Sequence, residues 1–124
     1  MRAVSPSVSR AASFRHAMRG VARLIATQAN ARIHVGAALL ATILGIWLDI
    51  SLLEWAVVSL TLGMVLGAEA LNTAVEWVVD RVSPEWHPLA RDAKDVAAGA
   101  VLITSLAALG VGGCIYLPKL RALF

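Results

Sequence analysis

The chain has 124 residues, a formal net charge of +3 and 59% hydrophobic residues, with a mean hydropathy of +0.75. That apolar share excludes an ordinary water-soluble globule, and the length leaves room for one compact unit. The charge is segregated: residues 1–48 hold six arginines (2, 10, 15, 19, 23, 32) and no acid, and all eight acids lie between Asp49 and Asp95.

Residues 1–12 carry Ser, Pro and Ala and are expected to be disordered. An acid-free, Arg- and Ser-rich start is also the composition of a transit peptide, but the next stretch has too regular a period for one. From Ser13, which has the chemistry of an N-cap, Phe14, Ala17, Met18, Val21, Leu24 and Ile25 recur at helical spacing. Arg15, Arg19 and Arg23 line another face at i, i+4 and i+8. An amphipathic helix over about 13–28 is expected to lie in the membrane interface, arginines toward headgroup phosphates.

The first span is expected over about 33–48, between Arg32 and Asp49. Sixteen residues give roughly 24 Å, short of a hydrocarbon core of about 30 Å. Snorkelling of Arg32 and an interfacial Trp47 would cover the deficit. The acidic turn WLDISLLEW follows, and the arginine excess before the span puts the N-terminus on the cytoplasmic side. The second span is expected over about 52–81 and is uncharged from Trp55 to Ala68. Its Gly63 and Gly67 form a GxxxG, a signal of close helix packing within the chain or between subunits. The polar loop RVSPEWHPLARD leads to a third span over about 88–117, with Pro84 and Pro88 suited to first helical positions. Lys119 and Arg121 beyond it mildly violate the charge rule. Cys114 is the only cysteine, which excludes an internal disulfide; in the run GGCIYL it reads as a small core hydrophobe.

The second span ends in EALNTAVEWVVD, where Glu69, Asn72, Glu76 and Asp80 are spaced by three, four and four. At about 100° per residue they form one polar stripe on one helix face, opposite Leu71, Val75, Val78 and Val79. Glu69 lies fifteen residues past Glu54, roughly 22 Å along the axis, and Asp80 about 16 Å further. Carboxylates leaving a membrane helix in a row are costly unless they have a task. The chain contains neither GxxxxGK[ST] nor GxGxxG, and its three His and one Cys lack zinc-ligand spacing. What remains is oxygen ligands plus cations: Glu69, Asn72, Glu76, Asp80, Asp95, Lys94 and the N-terminal arginines. Hard oxygens suit Mg²⁺ shared with nucleotide phosphates. Glu69, first out of the hydrocarbon, suits a general base to a lipid hydroxyl, and Glu76, about 10 Å farther, suits a metal. Asp80, Arg81 and Asp92 taken singly read equally well as a solvated helix end.

The run EALNTAVEWVVDRVSPEWHPLARDAKDVAAGAVL resembles the prokaryotic diacylglycerol kinase family of small three-span lipid kinases. HPLARDAKDVAAGAVL and the upstream NARIH look more like its undecaprenol-kinase branch. The likeness extends from about Phe14 through the third span. It implies an all-α integral membrane protein of the bacterial inner membrane, a homotrimer with cytoplasmic-side active sites, using ATP and Mg²⁺. By position, it implies Glu69 as general base and Asn72 as the residue orienting the reacting groups. Glu76 matches a metal ligand. Glu85, Trp86 and His87 match a nucleotide-contacting loop, and Lys94 and Asp95 a pair engaging phosphates and ribose; Glu76 and Asp80 also belong on the nucleotide side. His16 falls where the family carries an aromatic residue near the nucleotide, with Arg15 and Arg19 beside it for lipid or phosphate. The family's second metal-binding acid aligns with Gln28, a departure that implies weaker metal affinity.

The partners expected are a lipid alcohol, ATP, the bilayer and further copies of the chain, with no nucleic acid. Two rival readings are a small cation- or proton-coupled transporter and an inactive structural subunit. The transporter requires its acid near mid-bilayer, whereas Glu69 falls toward an interface. Gln28 alone encourages the inactive subunit.

Overall fold

Four helices follow one another in the computed structural model, which describes residues 9–124: α1 (Arg10–Thr27), α2 (Ala29–Trp47), α3 (Leu52–Val82) and α4 (Pro88–Arg121). The last three are each long and apolar enough to cross a membrane. The architecture is the all-α membrane fold expected from the hydropathy pattern, and several boundaries move.

Helix α1 starts at Arg10, not after Ser13. The Ser9 hydroxyl accepts from the Ala12 N–H at 3.2 Å and caps the helix, and the Ser13 N–H donates to the Ser9 carbonyl at 2.9 Å. Ser9 precedes Arg-Ala-Ala, strong helix formers, so the first turn forms there and Ser13 is absorbed into it. Residues 10–12, expected to be disordered, are therefore helical, while residues 1–8 lie outside the described residues. Phe14, Met18 and Val21 are exposed and Leu24 is buried. Small residues dock α1 on α3: Ala17, Gly20 and Leu24 share a groove with Ala70, Thr73 and Trp77. The Arg23 guanidinium lies over the Trp77 ring, 5.4 Å from its centroid, a geometry that adds cation–π attraction.

Gln28 alone, in extended conformation, separates α1 from α2. Arg32 does not snorkel. Its Nη1 donates back to the carbonyls of Ile25 (2.9 Å) and Ala26 (3.2 Å), satisfying acceptors that the end of α1 leaves free. With Ala29–Arg32 helical, α2 has 19 residues, or about 28 Å. The span is thus close to the hydrocarbon thickness, and the expected deficit disappears.

Between α2 and α3 the chain reverses at Asp49, whose φ of 51° lies in the left-handed region that Asp tolerates better than most residues. Ser51 and Glu54 form a reciprocal capping box that starts α3. Gly45 is required here: a Cβ on it would lie 2.7 Å from the Trp55 ring. A core of Ile50, Val58, Ile115 and Tyr116 closes this end, with Trp55 packed against it. The Tyr116 hydroxyl donates to the Ala41 carbonyl at 2.7 Å and so ties α4 to α2. Lys119 lies 3.4 Å from Glu54, so the basic C-terminal end that offended the charge rule has an acidic partner. Cys114 is exposed and does not belong to this core.

At the opposite end a short loop joins α3 to α4. The His87 Nδ1 accepts from the Leu89 N–H at 3.1 Å, capping α4, and Pro88 takes the first helical position. Helix α4 continues through Pro118 to Arg121, past the expected end at 117. Helices α3 and α4 make the most extensive contact, yet a Cβ at Gly63 or Gly67 would meet nothing within 4 Å. The GxxxG therefore does not mediate close packing among the described residues of this chain.

Candidate active site

Helix α3 carries the polar stripe from buried to exposed surroundings. Glu69 is 2% exposed and Asn72 8%, Glu76 is half-buried and Asp80 is exposed. The stripe is locally connected: the Asn72 Nδ2 donates to Glu76 Oε1 at 3.5 Å, one turn along. Thr73, absent from the sequence-based site, is as buried as Glu69. Glu69 Oε2, Asn72 Oδ1 and Thr73 Oγ1 are all buried without a hydrogen-bond partner among the described residues. An unsatisfied buried polar group costs about 1–3 kcal/mol, so three within two turns of one helix mark a place where folding stability yields to another demand.

Helix α2 supplies a group that spacing alone did not single out. The His34 Nε2 lies 3.8 Å from Glu69 Oε2. A signal for it exists in the sequence, since His34 is the only polar side chain between Arg32 and Thr42, where a polar group within a span is costly.

About 16 Å along α3 from Glu69, Asp80 joins the loop and the first turns of α4. Asp80, Glu85, Trp86, His87, Lys94 and Asp95 line one cavity of about 280 Å³, bringing six of the expected nucleotide-side residues together. Lys94 Nζ donates to Asp80 Oδ1 at 2.8 Å, and Asp95 Oδ2 lies 3.7 Å from Arg91 Nε. Lys94 and Asp95 are sequence neighbours on a helix and so point in different directions. His87 serves structurally as the α4 cap.

The remaining residues are more dispersed. Arg15, His16 and Arg19 are exposed on α1 and are not among the residues lining that cavity. Gln28 sits at the α1–α2 junction with its Nε2 donating to Thr27 Oγ1 at 3.2 Å, a bond that does not use its amide oxygen. Among the described residues no group of three His, Cys, Asp or Glu side chains could enclose a metal ion. Mg²⁺ requires no such cage, because it commonly takes one or two carboxylates and fills its shell with phosphates and water. The Glu76 carboxylate, beside the unpartnered Asn72 Oδ1, is an oxygen set of that kind.

The family model described as prokaryotic diacylglycerol kinase matches residues 15–116. An undecaprenol kinase of Bacillus subtilis is 41% identical over 108 residues, covering 87% of this chain and 88% of that protein. A diacylglycerol kinase of Synechocystis is 46% identical over 112 residues, covering 90% of this chain and 64% of the relative. The diacylglycerol kinase of Escherichia coli K12 is 38% identical over 81 residues, with 65% and 66% covered. With three membrane-length helices and a match over most of its length, the chain belongs to the prokaryotic diacylglycerol kinase family.

Proposed function

We propose that this membrane lipid kinase transfers the γ-phosphoryl group of ATP to the hydroxyl of undecaprenol, with diacylglycerol as the second candidate acceptor. The observation that carries the reading is the stripe on α3. One helix holds a nearly inaccessible carboxylate at Glu69 and, about 16 Å along, opens into a polar cavity at Asp80. A lipid hydroxyl is confined to the first environment and a nucleotide to the second.

In this reading Glu69 takes the proton of the lipid hydroxyl. That oxygen forms the new bond to the γ-phosphorus as the bond to the departing ADP oxygen breaks. Asn72, linked to Glu76, keeps the reacting groups in register. Lys94 and Asp95 hold phosphates and ribose, with Asp80, Glu85, Trp86 and His87 around them, and His16, Arg15 and Arg19 approach from α1. Glu76 and the Gln28 amide oxygen would hold Mg²⁺, which supplies charge neutralisation on the phosphates when bound. Phosphoryl transfer asks of a protein mainly positioning and electrostatic stabilisation, and the bilayer fixes the depth of the alcohol, which lowers the entropic cost of the encounter.

The acidic α2–α3 turn and the arginine-rich start favour a cytoplasmic N-terminus and a cytoplasmic active site in the bacterial inner membrane. The open Gly63/Gly67 face is suited to a neighbouring helix, consistent with a homotrimer. Undecaprenol stands first because the Bacillus subtilis relative named for it is covered nearly end to end, whereas the Synechocystis diacylglycerol kinase is covered over 64%. The test is direct. Purified protein with labelled ATP and Mg²⁺ is offered undecaprenol and diacylglycerol in equal amounts. Label in undecaprenyl phosphate is expected to dominate. Dominant phosphatidic acid reverses the substrate order, and no labelled lipid refutes the kinase assignment.

A further inference from the structure

Glu69 presents a physical problem that the kinase reading alone leaves open. Its Oε2 is buried with no hydrogen-bond partner, and a general base must hold its carboxylate in one orientation. His34 presents the complementary problem of a polar ring placed inside an apolar helix. The two side chains face each other from α2 and α3 at 3.8 Å, less than about 1 Å beyond hydrogen-bond range. Contacts of catalytic groups are often long before substrate binds and tighten in the complex.

We propose that His34 is the positioning residue of Glu69: its Nε2–H donates to Oε2 in the working enzyme and turns the other carboxylate oxygen toward the lipid hydroxyl. Of the polar groups lining the space beside His34, only the Ser105 hydroxyl also lacks a partner among the described residues, and it is a neutral group where Glu69 is an acid. On its other side His34 lines an apolar cavity of about 300 Å³ between α2, α3 and α4, and none of the described residues lining it is an acid, lysine or arginine. The Tyr116 hydroxyl there is occupied by Ala41, and that of Thr61 by Val57. Arg32, two residues away on α2, is committed to the α1 carbonyls. The imidazole thus stands between an apolar chamber and the reacting carboxylate, where it can fix the carboxylate without admitting a competing charge. Its side chain is 20% exposed, so the donor remains inside the protein.

The inference rests on Glu69 acting as the base, and the experiment separates the two. Full-length protein is assayed in lipid as wild type, His34→Leu, His34→Gln and Glu69→Gln, with kcat and the ATP KM measured for each. His34→Leu is expected to lower kcat about 10²-fold, as a misplaced reacting group does, at unchanged ATP KM. His34→Gln, whose amide N–H reaches the same place as Nε2–H, should recover most of that loss. A purely packing role for His34 predicts no recovery by the polar glutamine. Wild-type kcat in His34→Leu, or no recovery in His34→Gln, overturns the positioning role while an inactive Glu69→Gln leaves the base intact. Normal turnover in Glu69→Gln removes the base itself, and the positioning role with it.

Discussion

Replacing Glu69 by glutamine separates catalysis from stability because the two demands on this residue oppose each other. The side chain is 2% exposed and its Oε2 accepts no hydrogen bond. The amide keeps the shape and removes a formal charge from a site that does not satisfy it. An unsatisfied buried group costs about 1–3 kcal/mol, more when charged, so Glu69→Gln should unfold no more easily than the wild type and up to about 3 kcal/mol less easily. Catalysis should move the other way. Losing a general base costs about 10²–10⁴-fold in rate, equivalent to about 3–5 kcal/mol in the barrier. Nucleotide affinity should not change, because the cavity at Asp80 and Lys94 lies about three helical turns away. Denaturant unfolding in mixed micelles, labelled-phosphate transfer and nucleotide titration measure the three quantities on one preparation. Turnover within threefold of wild type, or a destabilisation above about 2 kcal/mol, would refute the assignment of Glu69 as a strained catalytic carboxylate.

Other substitutions probe the remaining parts. Gln28→Glu should lower the Mg²⁺ concentration needed for half-maximal activity, since a carboxylate adds charge to an oxygen ligand; an unchanged Mg²⁺ titration removes Gln28 from the ligand set. Lys94→Met should raise the ATP KM by about tenfold or more, the scale of hydrogen bonds to charged groups, while the lipid KM stays constant. A shift in the lipid KM alone would contradict the nucleotide assignment of the cavity. Gly45→Ala sets overpacking against Trp55, about 1–3 kcal/mol, against a gain in helix propensity of about 1 kcal/mol. The clash at 2.7 Å should prevail and lower stability by up to about 2 kcal/mol in denaturant unfolding; a more stable variant would show that Trp55 can move aside.

What could be read in advance was whatever repeats along one helix. Hydropathy located the three spans, and the spacing of Glu69, Asn72, Glu76 and Asp80 placed them on one face. What escaped depends on contacts between helices. Thirty-five positions separate His34 from Glu69, and no periodicity links them. Arg32 marks the charged edge of a span in the hydropathy pattern, but its side chain folds back on α1 and the helix starts earlier. Ser9 and Ser13 are one turn apart, so pattern alone could not choose between them as cap. Cys114 lies in the uncharged stretch of α4 between Val96 and Leu117, where composition gives no sign of which face is buried.

In the proposed mechanism the order of groups along α3 decides where each substrate can meet the stripe. A carboxylate as exposed as Asp80 would be hydrated, and a membrane alcohol would have to leave the hydrocarbon to meet it. A nucleotide site as enclosed as Glu69 would force a polyphosphate to shed its water against apolar walls, at a cost no small ligand set could offset. Placing both on one rigid helix fixes their separation at about 16 Å without any hinge. The half-buried Glu76, tied to Asn72, then falls at the level where a phosphate reaching inward would meet a hydroxyl reaching outward. Docking of α1 through Arg23 and Trp77 covers the same stretch of α3, beside Thr73. Helix α1 thereby packs over α3 within about one turn of Glu69, and in the proposed mechanism that cover is part of what the chemistry requires.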